Sequence, residues 1–429
     1  MTHENNLKKF TTISLLWGAM ASTYMIRYAL GIAAPTLMKL YHLSPKTMGY
    51  ILSGWNWTYA SGVLFVGPLV DRFGSWIVMG VGSVIWGLST VALPVAGGAV
   101  SLFLMRTIFG LGHSPMIPAN ATSISQVFGS KERARAVAIS FSGNQVGLAV
   151  GAPIAAFILA RLGWQAVFYC ISGVSLLWTL AWFFFYPDKR IGRMGKREVG
   201  TGNREESGPG FLSLLRYRST WGIAFGQMGY LYAYYFFVSW LPGYLVLDRH
   251  MTSLKSGFIS AIPFWIGMLA TLGGGWLGDY LIDRGATPTV SRKSIIGAGL
   301  TAATLTVIAA AYVEQIWLAV TLLALCVGSL RLTTGSVNST PIDLAPASAV
   351  GALTAIQNCF GNIGGLLAPI VTGYIVNSTG SFVDSLVVAG GMALFGAICY
   401  VFVMGNLETH SMEPRAPASA IRVSPSRAV

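Results

Sequence analysis

GPLVDRFG, residues 67–74, and GGWLGDYLIDRG, residues 274–285, stand at matching places in two halves of one chain. The first follows the second long apolar run, and the other follows the eighth. Each joins glycine to an aspartate, with a basic residue after it. A lone motif of this kind reads as a tight polar turn. Its return at the equivalent place marks an internal repeat, two sets of helices built to one plan. Glycine lets helix ends approach, and the aspartate can pair with a nearby arginine or a helix N-terminus and latch one conformation. Gly67, Asp71, Arg72, Gly74 and Asp279 are therefore candidate gating residues.

The composition explains what surrounds these motifs. Of 429 residues, 54% are hydrophobic and only 10% are charged, against about 25% charged in a soluble domain. Such a chain cannot cover a water-facing surface. About 20 apolar residues span a bilayer as a helix, and twelve such runs are present: 11–36, 47–70, 76–96, 100–123, 136–160, 164–186, 220–246, 256–280, 292–312, 316–341, 349–376 and 383–405. The start, MTHENNLKKF, is polar, and the run after it is long enough to span, so it reads as a first membrane helix rather than a leader. The fold class expected is an all-α membrane protein, twelve transmembrane helices in two six-helix, pseudo-symmetric halves.

Lysine and arginine orient it, since they collect in cytoplasmic loops. With the N-terminus inside, 20 of the 28 basic residues fall in cytoplasmic segments and five in external ones. Both termini are then cytoplasmic. The net charge of +13 follows from these loops and implies no nucleic acid. The long polar stretch 187–219 reads as a cytoplasmic linker between an N-terminal half, 1–186, and a C-terminal half, 220–405. The tail 406–429 is rich in Pro, Ser and Ala and reads as disordered. Cys170, Cys326, Cys359 and Cys399 lie in apolar runs, with no CxxC or HExxH, so no metal site, cofactor or disulfide is expected.

Three basic residues remain: Arg27 in the first run, Arg106 in the fourth and Arg331 in the tenth. A charge at membrane depth costs from roughly 3 to more than 10 kcal/mol, and it persists where it meets a cavity, a partner or a substrate. The usual partner is a carboxylate. All 15 acidic residues fall in loops, tails or helix ends. The missing anion is then the substrate. Snorkelling to an interface is the bland alternative, strongest for Arg106 near its helix start, and bonding to helix-end carbonyls is the bland alternative for Arg331. His113 lies seven residues after Arg106, two turns on and roughly on one face. Its unperturbed pKa lies near physiological pH, so it is the candidate for coupling proton uptake to anion binding. The bland reading there is a neutral histidine bonded to a carbonyl at the Gly112–Pro115 irregularity. Tyr24, Tyr59, Asn144, Gln145, Ser336, Asn338, Gln357, Asn358 and Asn362 are polar groups able to complete a cavity, as is the run Tyr230, Tyr232, Tyr234 and Tyr235. Singly, each is more often a helix-packing residue.

RYALGIAAPTL, GPLVDRFG, RTIFGLGHSPMIPA, GNQVGLAVGAP, SWLPGYL and NCFGNIGGLLAPIVTGYI together resemble the anion:cation symporter family of the major facilitator superfamily, over roughly 11–405. That family includes bacterial galactonate, glucarate and hexuronate carriers and animal vesicular glutamate carriers. The resemblance implies a twelve-helix carrier with a central anion site and rocker-switch alternating access, often proton-coupled. By motif, the family's helix-one arginine falls on Arg27 and its helix-four arginine on Arg106. Its helix-two tyrosine falls on Tyr59, its helix-five polar position on Asn144 and its helix-eleven asparagine on Asn362. Two positions depart. Ile26 stands where the family often has Asp, and His113 where it often has Glu; both carboxylates are implicated in protonation there. Arg331 lies outside the pattern.

The expectation is a multi-pass, monomeric secondary transporter of the bacterial inner membrane. Its substrate is a small organic anion: a carboxylate, dicarboxylate or sugar acid bound by Arg27, Arg106, Tyr24, Tyr59, Asn144, Arg331, Asn358 and Asn362. Proton symport through His113, exchange against a counter-anion and organophosphate antiport all remain open. A non-transporting ligand sensor is the distant alternative. No intramembrane acid, metal cluster or nucleophile–base pair points to an enzyme.

Overall fold

Apolar runs punctuated by glycine, proline and short polar connectors form helices in lipid, because a helix satisfies its own backbone polar groups. This computed structural model describes residues 2–187, 211–346 and 349–407. Among the described residues every regular element is helical. In chain order they are α1 (Thr2–Leu40), α2 (Pro45–Val91), α3 (Ala99–His113), α4 (Met116–Val127), α5 (Ser130–Leu162), α6 (Trp164–Phe185), α7 (Phe211–Leu214), α8 (Arg218–Leu247), α9 (Ser253–Asp283), α10 (Pro288–Tyr312), α11 (Ile316–Leu332), α12 (Thr334–Leu344), α13 (Val350–Thr379) and α14 (Val383–Ile398). A π-helical turn, Cys399–Val403, extends α14.

Twelve crossings result, with breaks inside some of the apolar runs. The turn expected after residue 70 is helical through Phe73, and α2 is divided only at Gly74, with φ 81° and ψ 158°. That left-handed φ favours glycine. Gly285, which ends the sister motif, has φ 91°, so the repeated motifs share their terminal turn-maker. The fourth crossing, one apolar run over 100–123, is α3 plus α4, interrupted at Ser114 and Pro115 within the irregularity expected at Gly112–Pro115. The tenth, expected unbroken over 316–341, is α11 plus α12, interrupted at Thr333. Arg106 and Arg331 precede these two equivalent breaks. The first helix begins at Thr2 rather than near residue 11. Lys9 donates to Glu132 Oε2 at 2.7 Å, and this hydrogen bond holds the exposed Glu132 carboxyl below its usual range. Within the expected linker, α7 and the start of α8 are helical. Residues 188–210 and the tail from 408 lie outside the described residues.

The halves repeat in their packing as well. The first and fifth helices of each half carry an internal proline: Pro35 and Pro153, then Pro242 and Pro369. Nine helical segments among the described residues are long and apolar enough to cross a membrane by composition alone. The first helix, the first half of α2 and α8 are not among the nine; they carry Arg27, Asn56 and the tyrosine run. Large side chains such as Phe65 and Phe184 lie on the outside, where lipid is the solvent.

Three close approaches join the halves at the end bearing Pro45. A Cβ on Gly373 would meet the Pro45 carbonyl oxygen at 2.5 Å, which sets α13 against α2. One on Gly257 would meet the Ala152 carbonyl at 2.9 Å, setting α9 against α5. One on Gly31 would meet the Ser239 carbonyl at 3.0 Å, setting α1 against α8. Tyr50 and Tyr374 share a hydrogen bond of 3.1 Å across the same seam. The opposite end differs. Asp71, Arg72 and Asp279 are exposed, and the aspartates appear in none of the ion pairs found among the described residues. Nothing lies within 4 Å of a Cβ placed on Gly67 or Gly275. The molecule is therefore pinched at the Pro45 end and parted at the Asp71 end. The close helix approach expected of the repeated motifs is made in the second one, where a Cβ on Gly274 would overlap the Leu332 carbonyl; the aspartate latch is not seen among the described residues, since neither Asp71 nor Asp279 forms an ion pair there.

Close packing makes a direct prediction. A Cβ on Gly110 would overlap the Trp55 backbone carbonyl, whereas one on Gly97 meets open space. Overpacking costs about 1–3 kcal/mol or more. Gly110→Ala should lower the melting temperature of the purified protein by several degrees or prevent its recovery, while Gly97→Ala leaves it unchanged, as read by differential scanning fluorimetry.

Candidate functional site

Arg27 sits mid-way along α1 and is 4% exposed. Its guanidinium carbon lies 3.7 Å from the Trp55 ring centroid, 4.3 Å from Tyr24 and 5.1 Å from Tyr235. Three helices thus present ring faces to one cation, and α8 brings its ring from the other half. Each such contact is worth about 0.5–2 kcal/mol, but a ring face leaves N–H donors unsatisfied. Nε and Nη2 of Arg27 have no hydrogen-bond partner.

Arg106 is more deeply placed, 1% exposed in the middle of α3. Snorkelling is thereby excluded. Gly54 makes the room, since a Cβ there would come within 2.9 Å of the Arg106 Cβ. The Phe109 ring lies 5.0 Å away, and Nε and Nη1 are unpartnered. Arg27 and Arg106 are linked to His113 through shared rings, Trp55 lying against Arg27 and His113 and Phe109 against Arg106 and His113.

His113 closes α3 inside an aromatic cage. Tyr59 stacks at 5.2 Å and Phe109 at 5.8 Å, with Trp86 at 6.1 Å and Trp55 at 6.2 Å edge-on. It is buried, and its Nδ1 has no partner. The carbonyl bond of the bland reading is not made by this atom.

Arg331 builds a second cluster at the end of α11. Its Nη1 donates to the Tyr230 hydroxyl at 3.2 Å, and its guanidinium carbon lies 5.1 Å from the Tyr234 ring. Nε is unpartnered. Its visible bond goes to a side chain of α8, not to helix-end carbonyls. Tyr234 donates to Gln145 Oε1 at 2.8 Å, while Gln145 Nε2 is buried without a partner. The absence of a side chain at Gly267 keeps this space open: a Cβ there would sit 3.0 Å from Arg331 and 3.1 Å from Gln145. The two clusters adjoin. Tyr234 and Tyr235 are neighbours with ring centroids 6.0 Å apart, the first lying against Arg331 and the second against Arg27.

The structure thus brings together Tyr24, Arg27, Tyr59, Arg106 and His113, with Arg331 adjoining. Asn144, beside Gln145, has a buried, unpartnered Oδ1. Asn358 and Asn362 do less: their amide nitrogens bond to carbonyls of their own helix at 3.0 and 2.9 Å. The backbone carbonyl of Asn362 accepts from Asn56 Nδ2 at 2.9 Å, another tie between halves. Gln357 is buried and bonded to Val337, Thr340 and Tyr400, a packing role. Trp55, which gives the shortest cation–ring contact at Arg27, is absent from the candidates that the sequence offers. Its signal is the four-residue spacing to Tyr59, which places both on one helix face.

Comparison with known proteins then decides the family. The model of the Major Facilitator Superfamily matches residues 16–369. The chain belongs to that superfamily. Among its relatives, the probable galactarate/D-glucarate transporter GarP of Escherichia coli (strain K12) is 31% identical over 94% of this chain and 96% of its own length. The hexuronate transporter of Bacillus subtilis (strain 168) is 30% identical over 92% of this chain and 94% of that one. A bacterial homologue of the human lysosomal transporter Spinster, in an inward-facing and unoccupied conformation, matches with a TM-score of 0.73 at 16% identity. That match covers 92% of this chain and 95% of the other, and it is a likeness of fold. This superfamily member is a multi-pass membrane protein.

An unpaired buried cation carries a desolvation penalty of several kcal/mol that an apolar group of similar size does not. Arg106→Leu should therefore raise the melting temperature of the anion-free protein by a few degrees. A lowered melting temperature would show that Arg106 is structural.

Proposed function

We propose that this protein is a secondary transporter, not an enzyme, that carries a small organic anion of the sugar-acid class by alternating access. One observation carries the reading. Five buried guanidinium nitrogens, on Arg27, Arg106 and Arg331, have no hydrogen-bond partner. None of these arginines belongs to the ion pairs Lys9–Glu132, Asp248–Arg249 or Arg292–Asp343. A substrate carboxylate supplies acceptor oxygens for those five donors, and charge-assisted bonds of this kind are among the stronger ones.

The relatives named as galactarate/D-glucarate and hexuronate transporters favour hydroxylated acids. In this reading Arg27 and Arg106 hold one carboxylate. Tyr24, Tyr59 and Asn144 bond to its oxygens and hydroxyls, with Asn358 and Asn362 at the margin. Arg331, with Tyr230 and Gln145, takes a second carboxylate or a polar end. The halves are 1–186 and 220–405, joined by the linker 187–219 and followed by the tail 406–429. The carrier works as a monomer in the bacterial inner membrane, with both termini cytoplasmic. That orientation makes the parted Asp71 end cytoplasmic and the conformation inward-open. Gly67, Asp71, Arg72, Gly74 and Asp279 then form the gate that closes in the opposite state.

Uptake into proteoliposomes tests the reading. Arg27→Ala and Arg106→Ala should each lower galactarate uptake by about 100-fold or more, the loss of roughly 3 kcal/mol of charged hydrogen bonding. Arg331→Gln should weaken galactarate, a dianion, about tenfold more than the monoanion D-galactonate. Normal uptake in both alanine variants contradicts the proposal.

A further inference from the structure

Two stretches far apart in the chain share one pattern: PKTMGY, residues 45–50, and PIVTGY, residues 369–374. The first opens α2 in the N-terminal half, and the second lies in α13 of the C-terminal half. Both are separate from the repeated aspartate motifs and from the arginine clusters.

The two stretches are keyed into one another. A Cβ on Gly373 would crowd the Pro45 carbonyl oxygen, and one on Gly49 would overlap the Pro369 carbonyl oxygen. Each proline carbonyl thus fills the notch left by the other stretch's glycine. The tyrosines after the glycines meet as well, with hydroxyls 3.1 Å apart and ring centroids 6.1 Å apart, edge to face. Lys46, inside the first stretch, holds its ammonium 4.5 Å from the Tyr374 ring centroid. Reciprocal contact, in which residue i meets j and j meets i, is the mark of a two-fold interface. The other seam at this end, α5 against α9, is keyed from one side, by Gly257 against Ala152.

A glycine notch of this kind is filled only while the facing backbone is seated in it. When the halves part at this end the notch empties, and a methyl group there has room. Substitution at Gly49 or Gly373 therefore acts on one conformation. Gly110 differs, because the carbonyl it faces, that of Trp55, belongs to its own half. The tyrosine hydroxyls are exposed to water, so they add less than the backbone keying does.

We infer that the paired PxxxGY stretches are the clasp of the Pro45 end: their keying sets the stability of the closed seam, and they come apart for the site to open on that side. This clasp presupposes the alternating access proposed above and names the contact that governs it.

Spin labels on Gln165 and Ser378, exposed positions at the Pro45 end with one in each half, report the width of the seam by double electron–electron resonance in proteoliposomes, with the four native cysteines replaced by alanine. Gly49→Ala and Gly373→Ala should each raise the ratio of parted to closed seams at least about tenfold, the size expected of overpacking against backbone. Tyr50→Phe combined with Tyr374→Phe should raise it about two- to threefold, as loss of one exposed hydrogen bond does. Gly97→Ala should leave it unchanged. Glycine variants that fold, melt at a lower temperature and keep the wild-type distance distribution overturn the inference. If neither glycine variant is recovered folded, the tyrosine pair decides, and an unchanged ratio there overturns it. Wild-type protein that takes up no galactarate, while the glycine variants still part, contradicts the anion-transport reading and supports the clasp. Galactarate uptake by the wild type, with glycine variants that stay closed, removes the clasp alone.

Discussion

Three guanidinium groups lie inside a helix bundle that supplies none of them with a carboxylate among the described residues. An ion moved from water into a protein interior carries a penalty of several kcal/mol even after relaxation. Aromatic rings offset part of this at Arg27, and the Tyr230 hydroxyl offsets part at Arg331. The remaining deficit is a standing demand for an anion. The surrounding helices hold that demand in place: Gly54 admits Arg106, Gly267 clears the space beside Arg331, and paired breaks follow both arginines.

The same constraint joins the site to movement. Tyr235 reaches Arg27 from the other half, and Tyr234 reaches Gln145. Any rocking of one half against the other therefore alters the charged site itself. The seam at the Pro45 end is made by glycines against backbone carbonyls, which gives close contact without side chains to disentangle. Asp71 and Asp279 of the repeated motifs stand exposed at the opposite end.

Much of this is legible in the sequence, for physical reasons. Twelve apolar runs are unavoidable in a chain so poor in charge. Arg27, Arg106 and Arg331 stand out because charge is costly at membrane depth, and His113 because it follows Arg106 by two turns. The break at Ser114 is announced by Gly112 and Pro115, whereas the one at Thr333 is less legible, since the run looks the same on either side of it. Trp55 and Tyr235 are harder still. Their importance lies in which rings face Arg27, and that is set by lateral packing of α1, α2 and α8. Which end of the molecule is closed is a property of packing between halves, and no local pattern encodes it.

The central claim is that negative charge, rather than the shape of a polyhydroxylated chain, is what the site recognises. Galactarate and galactitol share a carbon skeleton and differ in their charged ends. Thermal stabilisation of the purified protein should be measured with each at matched concentration and ionic strength. Galactarate should raise the melting temperature in a saturable manner while galactitol leaves it unchanged. Equal stabilisation by both, or by galactitol alone, would contradict a site organised by Arg27, Arg106 and Arg331.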